Sequence, residues 1–207
     1  MPTVLAEPDA ELRNLARDAR GCQRCPLYKM GTQTVFGAGP ADARVMLVGE
    51  QPGDVEDRRG LPFVGPAGRL LDQAIETAGL KRDRMYVTNA VKHFKHVERG
   101  KRRLHQKPNV YEIDRCKWWL DLELEIIAPK LTVALGATAV RSLTGRPGKI
   151  EQMRSHIRET SDGRPLLVTV HPSAILRLRE DDMRIREMRR FVADLEMIAD
   201  IVPSARR

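Results

Sequence analysis

The stretch that decides the predicted fold is VMLVGEQPGDVEDRRGLPFVGPAGRLL, residues 45–71. It opens with an apolar run, Val45–Val48, which predicts a buried strand. A long loop with acidic residues and Phe63 follows, and apolar positions with helical spacing from about residue 66 to 78 predict a helix. Ligands of open α/β sheets bind beyond the carboxyl ends of the strands, so this loop is a candidate site. A solvated connection is the alternative, but the length of the loop and the phenylalanine among polar residues favour a site.

Three further apolar runs have the same arrangement, each followed by a segment with helical spacing. Runs of this kind that alternate with helices are typical of a parallel, doubly wound sheet. We therefore predict a single α/β domain, residues 1–207, with four parallel strands and a basic insertion loop at about 94–109. The additional strands are predicted at Met85–Thr88, Leu131–Leu135 and Pro165–Val170, and further helices at about 9–20, 110–127, 136–143 and 181–201.

Each predicted strand is followed directly by a polar residue or a glycine. Glu50 and Gln51 follow the first strand, Asn89 the second, Gly136 the third and His171 the fourth. Because the carboxyl ends of parallel strands meet at one edge of a sheet, we expect these residues to converge there. Four such positions that converge from separate strands are stronger evidence for a functional site than any one of them alone. The sequence therefore predicts a single site at this edge.

The chain is basic, and its positive charge is unevenly distributed. It carries 36 Lys and Arg against 28 Asp and Glu, a formal charge of +8. One cluster lies in residues 92–107 and a second in residues 177–190. Solvated basic segments are common, but two such clusters favour a phosphate-bearing partner, and nucleic acid is the default candidate.

The sequence offers no sign of a membrane or secretory destination. No apolar run approaches the roughly 20 residues that span a bilayer. Residues 1–20 lack the basic-then-apolar design of a secretory leader. We therefore expect a soluble, cytoplasmic protein.

The three cysteines are Cys22 and Cys25, in a C-x-x-C, and the isolated Cys116. An odd number in a cytoplasmic setting argues against a disulfide framework. A C-x-x-C has metal, redox and structural interpretations. This one follows a predicted helix and precedes a loop, which disfavours a thioredoxin-like redox role.

Several motifs occur in order along the chain: GEQPG, ED and PFVGPAG within residues 49–68, YVTN at 86–89, LGATA at 135–139 and HPS at 171–173. Together they resemble the uracil-DNA glycosylase superfamily, over nearly the whole chain from Cys22 to the last predicted helix. The sequence looks most like the family 4 iron–sulfur enzymes and, among these, the covalently DNA-trapping branch called UdgX. The resemblance implies a three-layer α-β-α fold, a monomer, and uracil-containing DNA, preferably single-stranded, as the partner.

The resemblance also implies a [4Fe–4S] cluster. Family 4 enzymes hold it with four cysteines, and Cys22, Cys25 and Cys116 match three of these positions. His93 stands where the remaining cysteine would be, and imidazole is an acceptable, less common iron ligand. The implied metal ligands are therefore these four residues, with the cluster pinning the N-terminal segment to the sheet.

A uracil glycosylase must take the base out of the stack into a pocket and stabilise it as it leaves. Phe63 is suited to stacking on the base, and Asn89 can donate and accept at once, which suits uracil and mismatches the amino group of cytosine. By resemblance, His171 faces uracil O2, where negative charge grows as the bond breaks. Glu56 resembles the family 4 position that crowds the methyl group of thymine, and Gln51 is assigned to the same substrate-binding set.

Glu50 and Asp54 form the acidic pair expected near the sugar, where a carboxylate can orient or deprotonate water. His105 is a second candidate, because the trapping branch has a similar K-R-R-aliphatic-H loop whose histidine attacks the sugar C1′ and stays bonded. Neutral imidazole is a competent nucleophile, and Glu50 could take the proton that is released. Considered alone, a histidine in an arginine-rich loop is usually solvated; the surrounding KRR pattern favours the catalytic assignment.

The expected DNA-binding residues are Lys101, Arg102, Arg103, Lys107 and Ser173. Contacts from the four basic residues to phosphates would make binding depend strongly on salt.

Three functions remain open from sequence. The first is a glycosylase that excises uracil and stays attached through His105, and the second is a multiple-turnover family 4 glycosylase. The third is a non-catalytic iron–sulfur protein that binds nucleic acid and needs neither Asn89 nor His171. A nucleotide-binding domain is disfavoured, because no G-x-x-x-x-G-K-[ST] or G-x-G-x-x-G follows the first strand.

Overall fold

A computed structural model describes residues 8–206. Within this range the strands are β1 (Val45–Gly49), β2 (Met85–Asn89), β3 (His96–Arg99), β4 (Arg102–His105), β5 (Leu131–Leu135), β6 (Ile157–Glu159) and β7 (Pro165–Thr169). The α-helices are α1 (Pro8–Ala19), α2 (Asp54–Arg59), α3 (Pro66–Thr77), α4 (Val110–Ile127), α5 (Ala137–Thr144), α6 (Ile150–Met153), α7 (Pro172–Leu176) and α8 (Asp181–Ile201).

The central sheet has five strands in the order β2-β1-β5-β7-β6. The four predicted strands are confirmed, and their mutual pairings are all parallel. The addition is β6, which pairs antiparallel with β7 at one edge. Its three residues are all exposed, so it lacks the apolar run by which the other strands are recognised in the sequence.

Helices cover both faces of this sheet, which confirms the three-layer α-β-α architecture. Successive residues of a strand point to opposite faces, and β1 shows this clearly. Met46 and Val48 pack in a core that includes residues of α1, α4 and α5, whereas Val45 and Leu47 pack in a second core with residues of α3, α7 and α8. Burial on both faces explains why the parallel strands read as continuous apolar runs.

The basic insertion is a folded β-hairpin rather than the predicted loop. Strands β3 and β4 pair antiparallel outside the central sheet, with His96 opposite His105 and Arg99 opposite Arg102. Gly100 has a φ of +60°, the left-handed conformation that a tight turn requires and that glycine adopts without strain. Most side chains of the hairpin are exposed, so no apolar alternation revealed its strands.

Within residues 8–206, none of the helices combines the length and apolarity needed to cross a membrane.

Candidate active site

A cleft of about 780 Å³ lies beyond the carboxyl ends of β1, β2, β5 and β7. The polar residues that follow these strands all line it, as the topology requires. Ten of the sequence-predicted site residues contribute to its wall: Glu50, Gln51, Asp54, Glu56, Phe63, Asn89, His105, Lys107, His171 and Ser173. The cysteines, His93 and the hairpin residues Lys101, Arg102 and Arg103 lie outside this lining.

Phe63 forms one wall of the cleft and is held in place by two close backbone approaches. Its φ of +55° is unusual for a residue with a side chain, so its surroundings must enforce it. A Cβ on Gly68 would lie 1.8 Å from the carbonyl oxygen of Phe63, and a Cβ on Gly49 would lie 2.5 Å from the ring. Only glycine fits at either position. The ring centroid lies 6.1 Å from that of His171, so the two rings form adjoining parts of the wall.

Asn89 ends β2 and contributes its side-chain amide to the cleft. Only 2% of the residue is exposed. Across the part of the chain that the structure describes, no protein group forms a hydrogen bond with this amide. Its donor and its acceptor are therefore both available to a ligand in the cleft.

His171 follows β7 and caps the N-terminus of α7. Its Nδ1 accepts a hydrogen bond from the backbone N–H of Ser173 at 3.2 Å and lies 2.8 Å from the hydroxyl of Ser173. Burial, together with the positive charge of Arg177, lowers the pKa of His171 to about 4, against the opposing influence of Glu50. The imidazole is therefore neutral at neutral pH, and because Nδ1 accepts, the proton is on Nε2. His171 can act as a neutral hydrogen-bond donor.

Glu50 and His105 form a pair at the rim of the cleft. Glu50 Oε1 lies 3.0 Å from His105 Nε2, with 23% of the Glu50 side chain and 48% of the His105 side chain exposed. The hydroxyl of Thr138 donates to the other carboxylate oxygen at 2.5 Å. Burial raises the pKa of Glu50, but these two hydrogen bonds and the nearby imidazoles outweigh it, so the net pKa lies below its ordinary value. Glu50 is consequently an ionised proton acceptor beside an accessible imidazole.

Gln51 connects the cleft to the base of the hairpin. Its side-chain Nε2 donates to the carbonyls of Lys95 and Gln106, each at 3.1 Å, and its Oε1 accepts from the N–H of Lys95 at 3.1 Å. The amide therefore holds together the two chain segments that carry β3 and β4. These bonds occupy the groups with which Gln51 would contact a base, so its assignment to the substrate set stays a prediction that the geometry does not favour.

Arg103 anchors the hairpin from the other side. Its guanidinium lies 2.5 Å from Asp54 and 2.6 Å from Asp57, and only 13% of the side chain is exposed. The expected phosphate contact of Arg103 and the expected sugar-side role of Asp54 would both compete with these ion pairs. Asp57, which is fully buried and also accepts from the N–H of Thr32, was missed by sequence reasoning. The sequence signal that could have indicated this ion pair is a second acidic residue three positions after Asp54, together with the arginine-rich segment elsewhere in the chain.

Glu56 closes the loop that carries Phe63. One carboxylate oxygen accepts from the N–H of Gly65 at 2.7 Å and the other from the N–H of Gly53 at 3.1 Å. Both oxygens are thus engaged by backbone groups, although the residue lines the cleft. Its thymine-excluding role stays a prediction.

Of the remaining expected DNA contacts, the three basic residues are exposed and Ser173 is half-buried. Lys101 and Arg102 are exposed at the tip of the hairpin, and Lys107 is exposed where the chain returns along the cleft. The hydroxyl of Ser173 accepts a hydrogen bond from Arg177 at 3.1 Å, which adds a guanidinium to the same rim.

The three cysteines are buried, unpaired and near one another. Burial raises the pKa of Cys25, and it raises that of Cys116 to about 12, with smaller contributions from the neighbouring thiols. The indole N–H of Trp119 donates to Cys22 Sγ at 3.0 Å, and the N–H of Lys92 donates to Cys116 Sγ at 3.2 Å. Soft sulfur donors that accept N–H bonds suit an iron–sulfur cluster.

His93 lies beside this group rather than within it. Its Nε2 is 3.1 Å from the hydroxyl of Thr34, which donates to the carbonyl of Ala19. The same carbonyl accepts from the N–H of Cys22, so His93 is close to the C-x-x-C. Among residues 8–206, no three His, Cys, Asp or Glu side chains are grouped so that they could hold a metal ion. The donor types therefore fit a cluster, but the four predicted ligands are not gathered around a single ion.

The fold and the cleft define a three-layer α/β domain with its ligand site at the carboxyl edge of a mainly parallel sheet. A profile of the Uracil DNA glycosylase superfamily matches residues 36–196. The chain belongs to this superfamily.

Three of its relatives carry the name type-4 uracil-DNA glycosylase. The protein of Thermotoga maritima is 36% identical over 164 residues, which cover 79% of this chain and 82% of the relative. That of Sulfurisphaera tokodaii is 34% identical over 192 residues, 86% of this chain and 84% of the relative. That of Pyrobaculum aerophilum is 32% identical over 174 residues, 81% of this chain and 85% of the relative.

Proposed function

We propose that this protein is a uracil-DNA glycosylase of the family 4 type, which cleaves the bond between uracil and deoxyribose in DNA. The observation that carries the proposal is the convergence of Phe63, Asn89 and His171 in one cleft. An aromatic wall, an amide free to donate and accept, and a neutral imidazole donor form a set that suits a flipped uracil. The three type-4 relatives support the same activity.

Each of these residues has a distinct part in the reaction. The ring of Phe63 stacks on the extruded base, and Asn89 accepts from uracil N3–H while donating to O4. Cytosine presents a donor and an acceptor in the reverse order at these positions, so Asn89 disfavours it. His171 donates Nε2–H to O2, where negative charge accumulates as the glycosidic electron pair leaves with the base. The neutral imidazole of His171 can donate this hydrogen bond to the departing uracil anion without being protonated itself.

We further propose that His105 captures the sugar. The distance of 3.0 Å between His105 Nε2 and Glu50 Oε1 supports this step. As the glycosidic bond breaks, its electron pair leaves with uracil and C1′ becomes electron-deficient. Nε2 passes its proton to Glu50 and uses the electron pair of that N–H bond to form a bond with C1′. The imidazole stays neutral, and Glu50 passes the proton on to solvent or to the uracil anion.

The second candidate is a multiple-turnover glycosylase. It is supported by the same carboxylate, since Glu50 is partly exposed and ionised and could activate water instead of accepting the imidazole proton. The third candidate, a non-catalytic iron–sulfur protein that binds nucleic acid, gives no reason for Asn89 and His171 to share a cleft.

A [4Fe–4S] cluster is part of the proposal. Cys22, Cys25 and Cys116 would hold it, with His93 as the fourth ligand. When bound, the cluster supplies iron–thiolate bonds that tie the N-terminal segment to α4. These residues are assigned a structural role.

We propose that the substrate is preferably single-stranded and that the protein acts as a monomer. The exposed Lys107 lines the cleft, and Lys101 and Arg102 are exposed on the hairpin that carries His105. Binding is therefore expected to weaken as salt rises, because phosphate contacts release counterions.

A denaturing gel tests the proposal. The protein is incubated with a labelled single-stranded oligonucleotide containing one uracil, heated in detergent and separated. We expect a slow band that persists after heating, together with free uracil in the supernatant. His105→Ser should remove the band while uracil release continues, and His156→Ser is the matched control that leaves the band unchanged.

Free uracil without a band in the wild-type protein would favour the multiple-turnover candidate. A band that survives His105→Ser would exclude the assigned nucleophile. If no uracil is released and uracil-free DNA binds equally well, the third candidate is favoured.

A further inference from the structure

A fully buried ion pair lies directly beneath Asn89. Nζ of Lys92 is 2.5 Å from Glu123 Oε2, and neither side chain is exposed to solvent. Burying two charges is costly even when they are paired, and a well-packed apolar pair is often at least as stable. Stability alone therefore does not explain why this ion pair is present. The groups that it contacts indicate another role.

The lysine ammonium uses all three of its protons within this buried region. They are directed to Glu123 Oε2, to the hydroxyl oxygen of Thr88 at 2.6 Å and to the backbone carbonyl of Asn89 at 2.9 Å. The peptide that joins Asn89 to Ala90 is thus held at both ends, since the N–H of Ala90 donates to the carbonyl of Gly49 at 2.9 Å.

Glu123 fixes the lysine from α4 and is itself tightly held. Its carboxylate accepts from the hydroxyl of Tyr86 at 2.9 Å, from that of Thr88 at 3.0 Å and from the N–H of Gly37 at 3.1 Å. Tyr86, Thr88 and Asn89 are alternate or adjacent residues of β2. The network therefore ties the last half of this strand to α4 through one carboxylate and one ammonium.

We propose that Lys92, held by Glu123, is a positioning residue that fixes the Asn89 peptide so that the amide side chain meets the edge of uracil. The inference rests on the proposed glycosylase function. Without the ammonium, the Asn89 carbonyl loses its donor and Glu123 loses its counter-charge, and both groups are buried. The peptide can then rotate about its remaining bond to Gly49, and the amide moves with it. Misplacement of a substrate-positioning group by about 1 Å can lower a rate about 100-fold.

The test is a pair of double-mutant cycles, which separate a direct effect from one transmitted through another residue. Single-turnover uracil release is measured at saturating single-stranded DNA for Lys92→Met, Asn89→Ala, His171→Ala and the two combinations with Lys92→Met. We expect Lys92→Met to lower the rate by about 10- to 100-fold in the wild-type protein. It should add less than about 3-fold in the Asn89→Ala background and retain its full effect in the His171→Ala background.

Two further variants exclude a general loss of structure. Ile198→Ala truncates a buried side chain in the core on the opposite face of the sheet, and it should lower the unfolding midpoint while changing the rate by less than about 2-fold. Glu123→Gln keeps the shape and one acceptor oxygen, and it should give a smaller decrease than Lys92→Met with the same dependence on Asn89. This variant also provides the cycle if Lys92→Met does not fold.

The outcomes are distinct. If the wild-type protein releases no uracil, the proposed function fails and the inference fails with it. If the wild-type protein releases uracil but Lys92→Met is as harmful without the Asn89 amide as with it, the function stands and the positioning role is wrong.

Discussion

The two sides of the cleft are built differently. Asn89 and His171 follow strands of the central sheet, and Asn89 is almost fully buried above the Lys92–Glu123 pair. His105 stands on a separate hairpin with about half of its side chain exposed, and Gln51 and Arg103 attach that hairpin through polar contacts. The residues proposed to recognise the base are thus part of the core of the domain, whereas the candidate nucleophile is carried on the separate hairpin. The difference implies that mutations can separate uracil release from the proposed covalent capture of the sugar.

The largest effect is expected on the core side, from Gly68→Ala. The added Cβ would lie 1.8 Å from the carbonyl oxygen of Phe63, and backbone cannot yield by that amount without moving the aromatic wall. We expect uracil release to fall more than about 100-fold and the free energy of unfolding to fall by about 3 kcal/mol. Kinetics and urea titration measure the two quantities.

Gly79→Ala is the matched control for this change. Gly79 follows the same helix, has a φ of +70° and has open space around its missing Cβ. It should lose about 1–2 kcal/mol of stability through backbone strain and keep its rate. A wild-type rate for Gly68→Ala would show that Phe63 does not form the base-binding wall.

The next largest effect is expected from Arg103→Leu, which removes contacts that attach the hairpin to the domain. Loss of the ion pairs to Asp54 and Asp57 frees the hairpin, so His105 spends less time beside Glu50. We expect the yield of covalent adduct to fall about 10-fold, with uracil release changed less than about 3-fold. Arg102→Leu, on the same hairpin but exposed, should change neither quantity by more than about 2-fold. Equal losses of adduct and of release in Arg103→Leu would contradict the separation of the two sides.

An effect of intermediate size is expected from pH. The folded-state pKa of His171 is lowered from 6.5 to about 4, so between these values the unfolded chain binds a proton that the folded chain does not. Stability should therefore fall as pH decreases from about 6.5 to 4, by up to about 3 kcal/mol. Glu50, whose pKa is lowered, adds a loss in the same direction as pH falls through its folded-state value.

Urea titrations from pH 4 to 8 measure this dependence. His171→Gln should flatten the part of the curve above pH 4.5 and leave the lower part, which belongs to the carboxylates. An unchanged curve would show that the pKa of His171 is the same in the folded and unfolded states.

The smallest effect is expected at the hairpin tip. Lys101→Ala and Arg102→Ala should each reduce the slope of log affinity against log salt by about 0.7, the value for one phosphate contact on a single strand. Neither should alter the free energy of unfolding by more than about 0.5 kcal/mol, because both residues are exposed. Equilibrium binding to a uracil-free strand at several salt concentrations measures the slope. An unchanged slope would place these charges off the DNA path.

The sequence was most informative where burial dictates residue type. Strands buried on both faces must be apolar throughout, so β1, β2, β5 and β7 could be located, and their order in an α/β fold brought Glu50, Asn89 and His171 to one edge. The exposed strand β6 and the hairpin carried no such constraint. Their pairing depends on backbone hydrogen bonds and on a glycine turn, which composition does not reveal.

Side-chain partnerships were the part that sequence could not supply. The side chains of Glu56 and Gln51 are of types that could bind a ligand. Both instead form hydrogen bonds with backbone groups. Arg103 lies in a run that predicts phosphate binding, yet it pairs with Asp54 and Asp57 across a separation of more than 40 residues. The hydrogen-bond and ion-pair partners of these side chains depend on which polar groups the fold brings near them without another partner.

The antiparallel strand β6 has a consequence for how this protein behaves in a crowded solution. A sheet rim with unpaired backbone groups can recruit a strand from another molecule. Here one rim ends in three residues that include Arg158 and Glu159, and the opposite rim is engaged at Val87 by two backbone bonds to Ala38. Short length and charge on one side, and a bound segment on the other, discourage edge-to-edge growth. Concentrated preparations should therefore stay dispersed rather than assemble into filaments.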